Sequence, residues 1–186
     1  MRTNQIERTR SAIVAAAREL ADSGAEISMP AIAAAARVSE ATAYRHFPDL
    51  VTLLRAAVMV EDQVAVLRSV VEGDDPVERV GLAAEILGRA VLRRQGAVRM
   101  VVASTIAKPS TAPDRPVQRF ALIEHALAPW VEKHPDFDVD ELVRDLSVVI
   151  SAESVFTLLD LCRLPPEEAI ASLVSTARKI VSAAVS

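Results

Sequence analysis

Apolar residues recur along most of the chain at the spacing of helices that face a core, and the strict alternation of half-buried strands is nearly absent. The first stretch covers about residues 5–23, with Ile6, Ile13, Ala17 and Leu20 on one face and Gly24 as its stop. Ser28 reads as the N-cap of a short helix, with Pro30 in the first turn, where a missing N–H costs little. Ile32, Ala33 and Ala36 face inward there, and the helix ends near Arg37. After a brief connection at Val38 and Ser39, Ser39 caps a third helix over 40–47, which Pro48 interrupts.

Downstream the pattern predicts one long helix over 49–71, a turn at 73–76, and helices over 76–94 and 96–107. Three prolines mark 108–116 as a loop. A helix over 117–133 follows, bent or ended by Pro129, then a turn at 134–138 and two last helices over 139–162 and 166–184. No internal repeat of fixed period is evident. The predicted fold is all-α with about nine helices. It comprises an N-terminal three-helix, helix-turn-helix domain (1–48) and a larger C-terminal helical domain (49–186).

The third helix carries the most information. With Ala43 set at zero and about 100° per residue, Phe47 lies near 40° and shares the buried face, while Ala41 near 160° and Arg45 near 200° point away. Tyr44 and Thr42 flank them. A short helix that presents Ala41, Thr42, Tyr44 and Arg45 outward, held by a supporting helix across a tight turn, is the layout that enters a DNA major groove. Ala41 permits close approach and contact with a thymine methyl; Thr42 offers a hydroxyl; Arg45 can pair bidentately with guanine. Tyr44 and His46 can donate to phosphate oxygens. Ser28, Ser39 and the free N–H groups behind them suit phosphate at helix starts. Glu40 stabilises the helix start but repels phosphate.

Charge agrees in sign. Residues 1–55 hold seven Arg and six acids, a balance of +1, whereas the rest of the chain carries −5 of the total −4. DNA contact is therefore expected from the N-terminal third, where Arg2, Arg8 and Arg10 are either solvated or touch the DNA backbone or an adjacent minor groove.

This segment resembles the N-terminal DNA-binding domain of the tetracycline-repressor (TetR) family of bacterial transcriptional regulators. Ser28, Ile32, Ala33, Ala36, Val38, Ser39, Thr42, Tyr44, His46, Phe47, Leu53 and Leu54 stand where that family's pattern has matching residues. Three positions depart from it. Arg37 replaces a turn glycine, so a left-handed backbone there carries a steric cost of about 1–2 kcal/mol. Arg37 could add a phosphate contact instead. Ala43 replaces Leu, and Leu50 stands where a phosphate-binding Lys is frequent. The expected DNA-contacting set is Ser28, Arg37, Ser39, Ala41, Thr42, Tyr44, Arg45 and His46.

In the final helix Ile170, Leu173, Val174, Ala177, Ile180, Val181 and Ala184 follow helical spacing, with Ala171, Ser175 and Ser182 opposite. The preceding helix is apolar through Leu142, Val143, Leu146, Val149 and Ile150. This is more apolar surface than one bundle side needs, so a homodimer through the last two helices is expected. The resemblance implies the same, and two heads about 34–36 Å apart would read a palindromic operator in double-stranded DNA. The resemblance also implies a small-molecule cavity among the middle helices, with Met59, Leu87, Val91, Met100, Ser104, Phe120, Glu124, His125, Trp130 and Phe156 as candidate lining residues.

Composition narrows the rest. Cys162 stands alone, which excludes an internal disulfide or a thiolate zinc cluster. The histidines (His46, His125 and His134) have no metal-binding spacing, and no nucleophile elbow or phosphate-binding glycine loop is present. The expectation is a cytoplasmic, non-enzymatic regulator without cofactor or membrane span, most simply a repressor released by a small-molecule effector. A helical dimer that binds a small molecule or protein, with weakened or lost DNA binding, is the second reading.

Overall fold

The structure is a computed structural model and describes residues 2–58, 62–107 and 118–186. Among these residues all regular structure is helical: α1 (Arg2–Ser23), α2 (Met29–Ala35), α3 (Glu40–His46), α4 (Leu50–Val58), α5 (Gln63–Val70), α6 (Pro76–Arg93), α7 (Gln95–Ala107), α8 (Gln118–Lys133), α9 (Val139–Val149), α10 (Ala152–Phe156), a π-helical turn (Thr157–Leu161) and α11 (Pro166–Ala184). Contacts divide them into two units, one of residues 2–58 with 93–107, the other of 62–92 with 118–186. No described helix is long and apolar enough to cross a membrane.

In the first unit the buried faces predicted from periodicity meet in one core, except that Ile6 at the start of α1 is 53% exposed. Ile13, Ala16 and Ala17 of α1, Met29, Ile32 and Ala33 of α2, and Ala43 and Phe47 around α3 join Leu53 and Ala57 of α4. Gly24, with φ +70°, ends α1. A second cluster packs α7 onto α1 and α4 through Ala21, Leu54, Ala97 and Val101, with Leu50 and Met100 at its edge. Asp22 near the end of α1 binds the buried Arg94 at 2.6 Å, a charge-assisted contact that fixes the start of α7.

In the second unit α6 and α11 run antiparallel. Glu78 pairs with Arg178 at 2.6 Å near one end, and Arg89 pairs with Glu167 at 3.2 Å near the other. Between them Gly88 of α6 leaves room for the Ile170 side chain, whose Cδ1 would stand 2.5 Å from a Cβ there. Ile170, Leu173, Ala177 and Val181 are buried, as their spacing predicts. Val174 and Ile180 are half-buried, and Ala171, Ser175 and Ser182 are exposed.

Two predicted helices are corrected. The helix expected over 49–71 is two helices, because the Asp62 carboxylate accepts from Ala65 N at 3.0 Å and starts α5 afresh. The helix expected over 139–162 breaks at Ser151, whose hydroxyl accepts from Ser154 N at 3.1 Å and caps α10. A π-turn follows, closed by Cys162 N to Thr157 O at 3.1 Å, with Arg163 left-handed at φ +56°. The helix expected over 117–133 is α8, which runs on through Pro129 to Lys133. Proline lacks the N–H that would reach the carbonyl of His125, four residues back. Arg79 of α6 supplies the missing donor, with Nη2 to His125 O at 3.1 Å and Nε to Ala126 O at 2.8 Å. The proline-rich stretch 108–116 lies outside the described residues.

Candidate nucleic-acid interface

The interface candidate is built from two caps and one turn. Ser28 caps α2, its hydroxyl accepting from Ala31 N at 3.3 Å, and Ser39 caps α3, accepting from Thr42 N at 3.2 Å. Between them the backbone closes with Arg37 N to Ala34 O at 3.0 Å and Val38 N to Ala33 O at 2.9 Å. These are the paired bonds that satisfy a helix's last carbonyls when the next residue is left-handed. That residue is Arg37, at φ +56°, so the backbone conformation foreseen at the glycine position is adopted by a side chain that pays sterically for it. Arg37→Gly is expected to raise the stability of this unit by about 0.5–1 kcal/mol, the relief of strain less the added freedom of the unfolded chain. A shift of the urea midpoint to higher concentration checks it.

Within α3, Ala43 and the C-cap residue Phe47 are fully buried, which turns the opposite side to solvent. Ala41 and Arg45 are exposed, Tyr44 is 50% exposed, and Thr42 and His46 are half-buried. Thr42 Oγ1 lies 2.9 Å from Ser39 Oγ, so its hydroxyl is oriented before any ligand arrives. Together these side chains offer a guanidinium, a phenol, an imidazole, a hydroxyl and a small methyl on one short surface, flanked by exposed Arg37. Such a set can hold phosphates and read base edges.

Sequence reasoning missed the residue that fixes the far end of α3. Arg10 of α1 donates through Nη1 to the His46 carbonyl at 3.1 Å, and its guanidinium lies 4.2 Å from the centre of the Phe47 ring. A cation here satisfies a last-turn carbonyl and complements the helix dipole while stacking on an aromatic face. Nothing in local spacing signals a partner 36 residues away. Leu50 is half-buried and packs against both clusters of this unit, so at the position of the frequent lysine the side chain serves the core. The start of α4 is instead held by Asp49, which accepts from Thr52 N at 2.8 Å.

Residues 12–57 match the sequence profile of the bacterial regulatory proteins of the tetR family. The chain carries a TetR-family DNA-binding domain. A comparison with curated proteins finds no match. Over its whole length the fold is similar to that of a tetR-family transcriptional regulator from Streptomyces coelicolor, whose crystal structure superposes with a TM-score of 0.56 at 21% identity, covering 96% of this chain and 82% of that one.

The candidate lining residues outside the TetR-type domain's core are dispersed. Leu87, Val91 and Phe156 are buried in the second unit; Phe120, His125 and Trp130 are half-buried there, and Glu124 is exposed. Met100 and Ser104 belong to the first unit, where Met100 packs on Ala21, Leu54, Ala97 and Val101, and the Ser104 hydroxyl donates to Val101 O at 2.7 Å. Met59 lies outside the described residues. Trp130 stacks on His134, with ring centres 4.3 Å apart, and meets Phe137 edge-on at 4.6 Å. These three rings border an open cleft of about 450 Å³ completed by Ala184, Val185 and Ser186. No group of three or more potential metal ligands occurs among the described residues.

Proposed function

We propose that the chain is a homodimeric TetR-type repressor that holds a palindromic operator through α3 and releases it when a small molecule binds the second unit. One observation carries the DNA-binding half: α3 is anchored by Ala43 and Phe47, which leaves Ala41, Tyr44 and Arg45 outward beside Thr42 and His46. In this reading Arg45 reads a base edge, and Tyr44, His46, Ser28, Ser39 and Arg37 hold phosphates. Residues 1–48 form the reading head and 49–186 the effector-binding and dimerising part, with the exposed face of α9 and α11 as the seam.

Release follows from a population shift. An effector that prefers a dimer with wrongly spaced heads draws protein away from the operator, and about 5.5 kcal/mol of differential affinity reverses occupancy from 99:1 to 1:99. Binding-site selection from random DNA, followed by a mobility shift in rising salt, tests the reading. Enrichment of a two-fold symmetric sequence is expected; a shift that random competitor abolishes would refute it. Arg45→Ala is then expected to weaken operator binding by about 1–3 kcal/mol and to relax preference at one position of each half-site. An equal loss on every sequence would make Arg45 a phosphate contact.

A further inference from the structure

On one side of the second unit α5, α6 and α8 bring three basic side chains together. Arg68, in the last turn of α5, is exposed, and its Nε lies 3.4 Å from His125 Nε2. The imidazole accepts there, so in its neutral form it carries its proton on Nδ1. On the other side stands Arg79, 6% exposed, whose donors go to three carbonyls: Gly73 at 3.1 Å, His125 at 3.1 Å and Ala126 at 2.8 Å. Those bonds satisfy hydrogen-bonding capacity without neutralising the charge.

Of the acids close in sequence, Glu72 is exposed and two others are engaged. Asp74 pairs with Lys133 at 3.0 Å, and Asp75 accepts from Val77 N at 3.1 Å. Glu124, beside His125 in sequence, is exposed. Among the described residues no carboxylate forms an ion pair with Arg68, Arg79 or His125. Burial, and then the charges of Arg68 and Arg79, hold the imidazole below its ordinary protonation range. Two guanidinium charges thus act on one imidazole, and among the described residues no carboxylate is ion-paired with any of the three. A metal cation would be repelled by both.

We infer that Arg68 and His125 form a binding site for a small oxyanion, the carboxylate or phosphate group of a molecule whose remainder lies on the second unit. The guanidinium fork of Arg68 offers two parallel donors that fit either group, and a bound anion offsets the two neighbouring charges that disfavour protonation of His125. This gives the effector a chemical class and in that respect rests on the reading above, although binding itself can be measured without DNA.

The test follows the His125 ring signals by NMR in the full chain, titrated with inorganic phosphate or with hexanoate at constant ionic strength, against sodium chloride. A saturable change is expected with at least one probe, together with a rise in the His125 pKa. The probe that saturates at lower concentration identifies the group. Arg68→Gln is expected to weaken binding by about tenfold or more while the thermal midpoint holds, and Arg68→Lys to recover only part of it, since the fork is lost. Changes no larger than those with chloride, or equal binding by Arg68→Gln, would overturn the site. If the probes bind but operator complexes persist, the oxyanion site stands and the effector reading falls. If neither binds while an uncharged molecule releases the operator, the oxyanion site falls alone.

Discussion

Phe47→Ala is expected to destabilise the DNA-binding unit by about 3–5 kcal/mol, the range for truncating a fully buried aromatic side chain. Phe47 is completely enclosed among Ile13, Ile32, Ala43 and Leu53, and it also carries the Arg10 guanidinium over its ring. Its backbone N–H closes α3 onto Ala43 O at 2.9 Å. Removal of the ring therefore leaves a cavity and loosens Arg10 from the end of the helix. Against a domain stability of about 5–15 kcal/mol, such a loss consumes a large share of the total. Operator binding should fall with it, and warming should abolish binding at temperatures the parent tolerates. Urea unfolding combined with a mobility shift at two temperatures measures both effects. Phe47→Leu should recover most of the loss, and a cost below about 1 kcal/mol for the alanine variant would show that α3 is held by other contacts.

Arg79→Met is expected to cost about 1–3 kcal/mol in the second unit, as for buried carbonyls left without a donor. Its length and apolar bulk are roughly kept, so the effect isolates the carbonyls of Gly73, His125 and Ala126. The His125 carbonyl matters most, because Pro129 has no N–H to give it. This yields a sharper form of the prediction. Pro129→Ala restores a helical donor to His125, so the double variant should be more stable than the sum of the two single effects predicts, by about 0.5–3 kcal/mol. Simple additivity in calorimetry would mean that the bond from Arg79 to the His125 carbonyl contributes nothing to stability.

The parts of the fold legible in the sequence are those set by near neighbours. Ser28 and Ser39 signalled helix starts, and Ala43 and Phe47 fell on one side of a short helix; all four stand as read. The left-handed turn was legible at Arg37 although the residue there disguises it. The breaks at Asp62 and Ser151 were hidden inside continuous apolar patterns, where periodicity runs on after the hydrogen bonding has stopped. Two features lay beyond local reasoning altogether. Arg10 meets His46 36 residues away, and Arg79 meets Ala126 47 residues away, so neither leaves a trace in spacing. The candidate lining residues show a further limit. An apolar stripe says which side of a helix is covered and not what covers it, which is why Met100 and Leu87 fall in different units.

Because Arg10 grasps a main-chain oxygen of α3, its hold is indifferent to the identity of the amino acid at position 46. The exposed letters of this helix are thereby left with little structural duty beyond the hydroxyl contact of Thr42 with Ser39. A designer, or a lineage under selection, can rewrite positions 41, 42, 45 and 46 to address a different target while the scaffold keeps its aim.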